Sequence, residues 1–404
     1  MINSFPEHWT MARLKDIGQL DRGRSRHRPR YAEHLYGGPY PFIQTGDIKA
    51  ANGRITAFTQ TYNEAGLAQS RLWPANTLCI TIAANIAETA ILTFPACFPD
   101  SVIGFIADES RCDVHFVEFM FRQLKQRIQL EASGSVQDNI NLATFDRLYF
   151  PLPPLPEQRE IARILAAFDD KTDLNRRMNA ALEATARALF QSWFVDFDPV
   201  RAKAEGRAPE GMDAATAALF PDSFEDSALG PIPSGWRVGR LDDLLVLQRG
   251  FDLPSDQRIP GDYPIIAASG PSGTHNEYRV KGPGVTTGRS GVLGNVYFVH
   301  EDYWPLNTSL WVKEFRISAP HHAYFTLSTL DFSLLNAGSA VPTLNRNHVH
   351  DLPVVVPTAE IVKQFESMVS PLFALQHRCS LESHTLAETR DALLPRLISG
   401  ELRV

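Results

Sequence analysis

The stretch PLPPLPEQREIARILAAFDDKTDLNRRMNAALEATARALFQSWF, residues 151–194, decides how the rest of the chain is read. Pro151, Pro153, Pro154 and Pro156 cannot donate ladder hydrogen bonds or continue a helix backwards, so they close whatever precedes them. From Glu157 there is no Pro or Gly until Pro199, and most residues between are good helix formers. Ile161, Phe168, Asn175, Leu182 and Leu189 recur every seven positions, with Ile164 and Met178 expected at the companion seam positions. The pattern predicts one long helix with a coiled-coil-like stripe, on the order of 55 Å at about 1.5 Å per residue. A helix of that length is a spacer, and its stripe needs a partner.

The 404 residues exceed one ordinary domain, and a 44% apolar content is that of a globular chain. Four cysteines without CxxC spacing argue against a zinc site and for a reducing cytosol. The N-terminus lacks a signal pattern, and no run of about 18 apolar residues occurs, so a soluble cytoplasmic protein without membrane contact is expected. The net charge of −7 is unevenly spread: residues 196–230 carry 3 basic and 8 acidic side chains, which leaves the flanking units close to neutral. A neutral unit still binds DNA if its arginines face one way.

Residues 1–150 read as a mixed α/β unit. Arg22, Arg24, Arg26, Arg28 and Arg30 form its densest basic run; extended backbone would put them on one side, suited to phosphates or a groove. Segments 40–50 and 77–94 read as strands and 114–133 as an amphipathic helix with Phe116, Phe119, Met120, Leu124 and Ile128 on one side. A polar Gly/Asn/Gln loop and a last strand follow. After the long helix (151–195), the acidic, Pro-broken stretch 196–230 reads as a linker with one short helix at 212–219 lying on a surface.

Residues 231–357 then repeat the first unit. Pro6, Trp9, Arg13, Leu14, Asp16, Arg22 and Gly23 recur 227 positions later as Pro233, Trp236, Arg240, Leu241, Asp243, Arg249 and Gly250. YPFI (40–43) recurs as YPII (263–266). Further on the shift is 204, so the copies differ in interior loop length. At that shift Ile161, Ile164, Phe168, Leu182 and Leu189 become Phe365, Met368, Leu372, Leu386 and Leu393, making 358–404 a second spacer helix. Asn175 is matched by Cys379: a polar seam residue that fixes register, or an accident of packing. Pro371 should kink this helix or delay its start. The expected fold is α+β: two globular units and two long helices paired as an antiparallel coiled coil, with a pseudo-twofold repeat that puts the globules at opposite ends.

No catalytic constellation emerges. GPGVTTGRSG (282–291) has the wrong glycine spacing for a phosphate loop, and there is no GxSxG elbow and no methyl-transfer or nuclease motif. His321-His322 and His348-His350 lack a third ligand at metal spacing and read as surface or cap histidines; no metal is expected. A chain that positions chemistry done by others fits best. A stand-alone methyltransferase or nuclease, and a protein scaffold that does not touch DNA, are the alternatives.

Together these features resemble the specificity subunit of type I restriction-modification enzymes, along essentially the whole chain. The most specific stretches are PLPPLPEQREIARILAAFDDKTDLN, LFQSWFVDFDPVRAKAEG, GRSGVLGNVYFVHEDYWPLNTSLWV and GSAVPTLNRNHVHDLPVVVP. The resemblance implies two target recognition domains, each reading half of a split DNA target, and helices that set the spacing and dock two modification subunits. It also implies that this subunit is not catalytic. Methyl transfer from S-adenosylmethionine belongs to the modification subunits, and ATP- and Mg-dependent translocation and cleavage to the restriction subunits.

Two half-sites about one helical turn apart lie on one DNA face, so a two-headed protein can read both. In the first unit the arginine run, Gln44, Thr45 and Lys49 after YPFI, and Gln137 and Asn139 are the candidates. In the second they are Arg249, then Ser269, Ser272, Thr274, His275 and Asn276 after YPII, with Arg289, Ser290, Asn345 and Arg346. The second copy lacks an arginine run, so its positive charge must come from elsewhere.

Overall fold

Both copies of the repeat begin with the same locally encoded turn. The structure, a computed structural model, describes residues 5–27, 32–83, 85–133, 145, 147–335 and 342–404. It divides into two compact units, Met1–Leu174 with Glu382–Val404, and Asn175–Leu381. The division runs through both long helices.

In the first unit, β1 (Thr10–Ala12) leads through a 3-10 turn (Leu14–Asp16) into β2 (Gly18–Arg22). The turn forms because Asp16 accepts from the Arg13 backbone N–H at 3.0 Å and from its guanidinium at 2.8 Å, closing a capping box. β3 (Tyr36–Phe42), α1 (Thr45–Ala50), β4 (Gly53–Ile55), β5 (Gln60–Tyr62) and α2 (Glu64–Ala68) follow. Then come β6 (Thr77–Thr81), β7 (Thr89–Leu92), β8 (Val102–Ala107), α3 (Val114–Ser133), β9 (Phe150–Leu152) and α4 (Leu155–Phe190).

The central sheet has the order β2-β8-β6-β7-β4, antiparallel except for β4 beside β7. Every residue of β6 is buried because both faces are covered. Leu78 and Ile80 point to the core shared with Phe116, Met120 and Phe121 of α3; Cys79 points to a second core with Trp73, Phe98 and Ile43. The amphipathic helix expected at 114–133 is α3. The strand expected over 40–50 ends at Phe42; from Thr45 the chain is helical, since Asp47 accepts from the Gln44 N–H at 2.8 Å and starts a turn.

In the second unit α4 is followed by α5 (Asp198–Ala204), α6 (Ala214–Ala218) and a minimal hairpin of β10 (Phe224–Glu225) and β11 (Ile232–Pro233). This Pro-broken segment is packed down: Phe197, Val200 and Phe220 are buried in one core with Trp193, Phe365 and Val369 of the long helices. β12 (Arg237–Arg240), α7 (Leu241–Leu244) and β13 (Leu245–Arg249) repeat the first unit's opening, and Asp243 accepts from the Arg240 N–H at 2.9 Å as Asp16 does from Arg13. The remaining strands are β14 (Tyr263–Ala267), β15 (Gly270–His275), β16 (Gly284–Gly288), β17 (Val296–Val299), β18 (Trp304–Pro305), β19 (Ser309–Phe315) and β20 (Pro353–Val356). α8 (Pro320–Ser328) and α9 (Arg346–His350) precede α10 (Ala359–Ile398). Sheets of order β13-β19-β16-β17 and β15-β14-β18 form, and β12 pairs with β20 as β1 pairs with β9.

The expected pairing of the helices is antiparallel within each unit. In the first, Asp169 meets Arg390 and Lys171 meets Glu382 at 3.1 Å. In the second, Asn175 meets Cys379, Gln376 reaches Glu183 at 3.5 Å, and Phe190 meets Phe365. The seven-residue ladder faces inward, with Ile161, Asn175, Phe365 and Cys379 buried and Phe168, Leu182, Leu189, Leu372, Leu386 and Leu393 half-buried. The companion positions are more numerous than the pattern suggested. Fully buried positions lie four residues after five of the rungs, at Leu165 and Ala186 on α4, Trp193 in the turn Gln191–Val195 that continues it, and Val369 and Leu397 on α10. Of the three expected companions, Met178 is exposed but its sulfur lies 3.7 Å from Cys379 Sγ, Ile164 is half-buried against the core that holds Leu394 and Leu397, and Met368 is exposed.

Two further expectations change. α10 begins at Ala359 and is helical on both sides of the exposed Pro371, so the start is not delayed. His321 and His322, read as surface residues, are buried on α8; His321 Nδ1 lies 2.7 Å from Glu366 and its ring stacks on Phe298. Burial holds His322 down to about 3, so it packs as a neutral ring against Ser318 and Phe194. Among the described residues no His/Cys/Asp/Glu group could hold a metal ion, and no helix is long and apolar enough to cross a membrane.

Candidate nucleic-acid interface

Extended backbone after β2 turns the first three arginines of the run outward. Gly23 and Ser25 are buried while Arg22, Arg24 and Arg26 are exposed, the alternation a strand-like path imposes. The path is held by Gly23 N–H to the Val102 carbonyl at 2.8 Å and Arg24 N–H to that of Phe98 at 3.1 Å. A Cβ on Gly23 would lie 2.3 Å from the Pro99 carbonyl oxygen, so only glycine lets the chain approach. Arg22 donates to the Asp100 carbonyl, and Ser70 Oγ to that of Arg24. Arg28, Arg30, Gln137 and Asn139 lie outside the described residues.

The residues after YPFI have different surroundings. Gln44 starts α1 and its amide meets Gln60 at 2.6 Å; Thr45 is half-buried in the first turn. Lys49 is exposed, 3.3 Å from Asn85, at a polar cleft of about 570 Å³ that Arg122, Lys125 and Arg390 also line. Arg24 and Ile43 both bond to the stretch 97–98, so the arginine path and the start of α1 lie on one support.

In the second unit Arg249 ends β13 as Arg22 ends β2, and Gly250 again has no room for a side chain: a Cβ would lie 2.2 Å from the Leu306 carbonyl oxygen. Arg249, Arg289, Asn345 and Arg346, distant in sequence, line one cleft of about 450 Å³ with Thr343 and Leu344. They meet because Ser290 bridges to Thr343 and Leu344 N–H donates to the Arg289 carbonyl at 2.8 Å. Arg249 reaches Asp252 at 3.3 Å, Arg289 donates to the Asn307 carbonyl at 3.3 Å, and Arg346 is exposed. Asn345 caps α9, its side chain accepting from the Asn347 N–H. Three guanidiniums thus line one cleft of the unit that has no arginine run in its sequence.

The β14–β15 hairpin stands beside this cleft through Thr308, whose hydroxyl oxygen accepts from Ala268 and whose carbonyl accepts from Arg289 and Ser290. Ser269 in its turn, Thr274 and Asn276 are exposed, and Ser272 is half-buried with its carbonyl toward Arg258. His275 is the correction here: it is buried, bonded through Nδ1 to the Ile259 backbone at 3.1 Å and edge-on to Trp304, so it faces the fold and not solvent. Two arginines escaped notice in the sequence. Arg279, exposed, lies over the Trp304 ring at 4.6 Å; Arg71 lies over Trp73 at 3.9 Å and holds the Asp21 carboxyl below its usual range. Isolated arginines carry no sequence signal of this kind.

A sequence profile described as the type I restriction modification DNA specificity domain matches residues 6–184 and 233–386, one match per copy of the repeat. The chain belongs to this family. It is similar to the MjaIX specificity subunit of Methanocaldococcus jannaschii, 25% identical over 436 residues that cover 100% of this chain and 95% of the relative. It is also similar to the HindI specificity subunit of Haemophilus influenzae, 26% identical over 74% of this chain and 80% of the relative. The crystal structure of an S subunit from M. genitalium shares the fold, with a TM-score of 0.62 over 98% of this chain and 97% of that one at 16% identity. The family resemblance, the α+β architecture and the internal repeat expected from the sequence all hold.

Proposed function

We propose that this chain is the DNA-reading subunit of a type I restriction-modification assembly. Each globular unit reads one half of a two-part duplex target, and the paired helices set the gap and carry two modification subunits. Methyl transfer, with S-adenosylmethionine, belongs to those partners; ATP- and Mg-dependent translocation and cleavage belong to restriction subunits, all in the cytoplasm. The observation that carries the reading is the duplicated frame: the same Arg-to-Asp turn feeds an Arg-Gly strand end in both units, beside outward arginines in one and an arginine-lined cleft in the other. A protein that reads two unlike half-sites needs two such heads on one frame.

The test is a titration of the chain together with its modification subunit onto duplex DNA at rising salt. Binding should weaken steeply, about 10³-fold or more between 50 and 200 mM if about six phosphates are contacted. A complex that forms but shows no salt-dependent DNA binding would favour a scaffold.

A further inference from the structure

Asp169, on α4, sits where three elements of the first unit converge. Its Oδ2 accepts from Arg122 Nη1 of α3 at 2.8 Å, and its Oδ1 accepts from Arg390 Nη1 of α10 at 2.5 Å. Arg122 also donates Nε to Glu118 at 2.7 Å, and Glu118 accepts from Thr89 Oγ1 of β7 at 3.1 Å. Gly53 makes room for the arginine: a Cβ there would lie 1.8 Å from Arg122 Nη2. Glu118 and Asp169 are buried, and their guanidinium partners largely so. One carboxylate therefore ties the globule's main helix to both long helices at once.

The second unit solves the same problem differently. The repeat relates Asp169 to Phe373 and Arg390 to Ala186, both in an apolar core. Phe373 packs on Phe298 at 5.1 Å and edge-on to His321 at 4.5 Å. Apolar packing is thus compatible with this fold at this position. A buried ion network adds little net stability over such packing, because desolvation offsets the attraction. What it adds is direction. Charge-assisted hydrogen bonds hold only over a narrow range of distance and angle, whereas apolar contact is non-directional.

We infer that Asp169 is a positioning residue: it fixes the angle at which the first reading unit stands on the helix pair, and so the gap between half-sites that the protein accepts. The inference rests on the two-half-site reading above. It places control of the gap at a junction as well as in helix length.

The test uses the full chain in complex with its modification subunit and a set of duplexes carrying both half-sites with the natural gap or one base pair more or less. Asp169→Asn keeps the shape and removes the charge. Binding to the altered gaps relative to the natural gap should rise about tenfold, the equivalent of about 1.4 kcal/mol of lost discrimination, with half-site bases unchanged. If the variant does not fold, Arg390→Lys retains the charge but cannot hold the same forked geometry, and should relax the gap in the same direction. Phe373→Leu serves as the control, lowering the melting temperature without altering the gap preference. Variants that melt earlier yet keep the wild-type gap preference would overturn the inference and reduce Asp169 to a structural role. A wild-type complex with no two-part target would overturn the parent reading as well.

Discussion

Asn175 donates its side-chain amide to the Cys379 carbonyl at 3.3 Å, and the two residues occupy the same position of the repeat, 204 residues apart. Both are buried. The polar pair stands in the seam in place of an apolar one. Asn179 extends the polar patch, donating to Ser380 Oγ at 3.0 Å. A polar patch in a seam fixes register at some cost in stability. Asn175→Leu should therefore stabilise the protein by roughly 1 kcal/mol, about 2–4 °C in melting temperature. Thermal unfolding of the two proteins checks this; a lower melting temperature for the variant would mean that the pair contributes more than register.

Arg24 and Arg26 face solvent from an extended path that no ion pair secures in the described contacts. Replacing either by Ala should weaken recognition of one half-site and lower the salt slope of binding by about 1. The check is binding to duplexes in which one half or the other is scrambled. Equal loss at both halves would contradict a division of reading between the units.

Much of this could be read from residues alone, for physical reasons. The arginine alternation is a property of extended backbone, and the helices follow from a seven-residue ladder that only a helix satisfies. The companion seam positions were harder because the period allows either three or four residues to the next rung. After Ile161 both Ile164 and Leu165 are apolar, and after Asn175 Met178 is more apolar than the half-buried Asn179. Hydropathy alone therefore does not choose between the two sides of a rung. The cleft of Arg249, Arg289 and Arg346 was legible as a set of residues but not as one place, since Ser290 and Thr343 bring its walls together across 53 positions of chain. His275 looked like a loop residue until Trp304, from a distant strand, covered it.

Gly23 and Gly250 test whether the copies share a frame in detail. Ala at either position would drive a methyl into a carbonyl oxygen and should destabilise its own unit by about 1–3 kcal/mol. Hydrogen exchange resolved by segment would show the loss near 98–102 for Gly23→Ala and near 305–309 for Gly250→Ala. Tolerance at one position alone would mean that the repeat has lost this constraint in that unit.

The duplicated turn also sets an acid limit. The Arg13 side chain and then its backbone N–H hold Asp16 down to about 2, and Arg237 followed by the Arg240 backbone lowers Asp243. A carboxyl whose pKa falls on folding contributes stability above its ordinary value of 3.8, and that contribution is lost as pH drops toward 2. The melting-temperature difference between wild type and Asp16→Asn should be largest above about pH 5 and shrink as pH falls through 3. A difference that persists unchanged to the acid end would assign the turn's stability to something other than this carboxylate.

The proposed function requires one chain to carry two readers held at a fixed gap. Its most direct measurement is DNA-methylation mapping across a host genome expressing this chain with its modification subunit. The expected result is a two-part motif with a constant unspecified gap, in which changes at Arg24 or Arg26 alter one part only and changes at Arg249, Arg289 or Arg346 alter the other. A single continuous motif, or methylation without a motif, would contradict it.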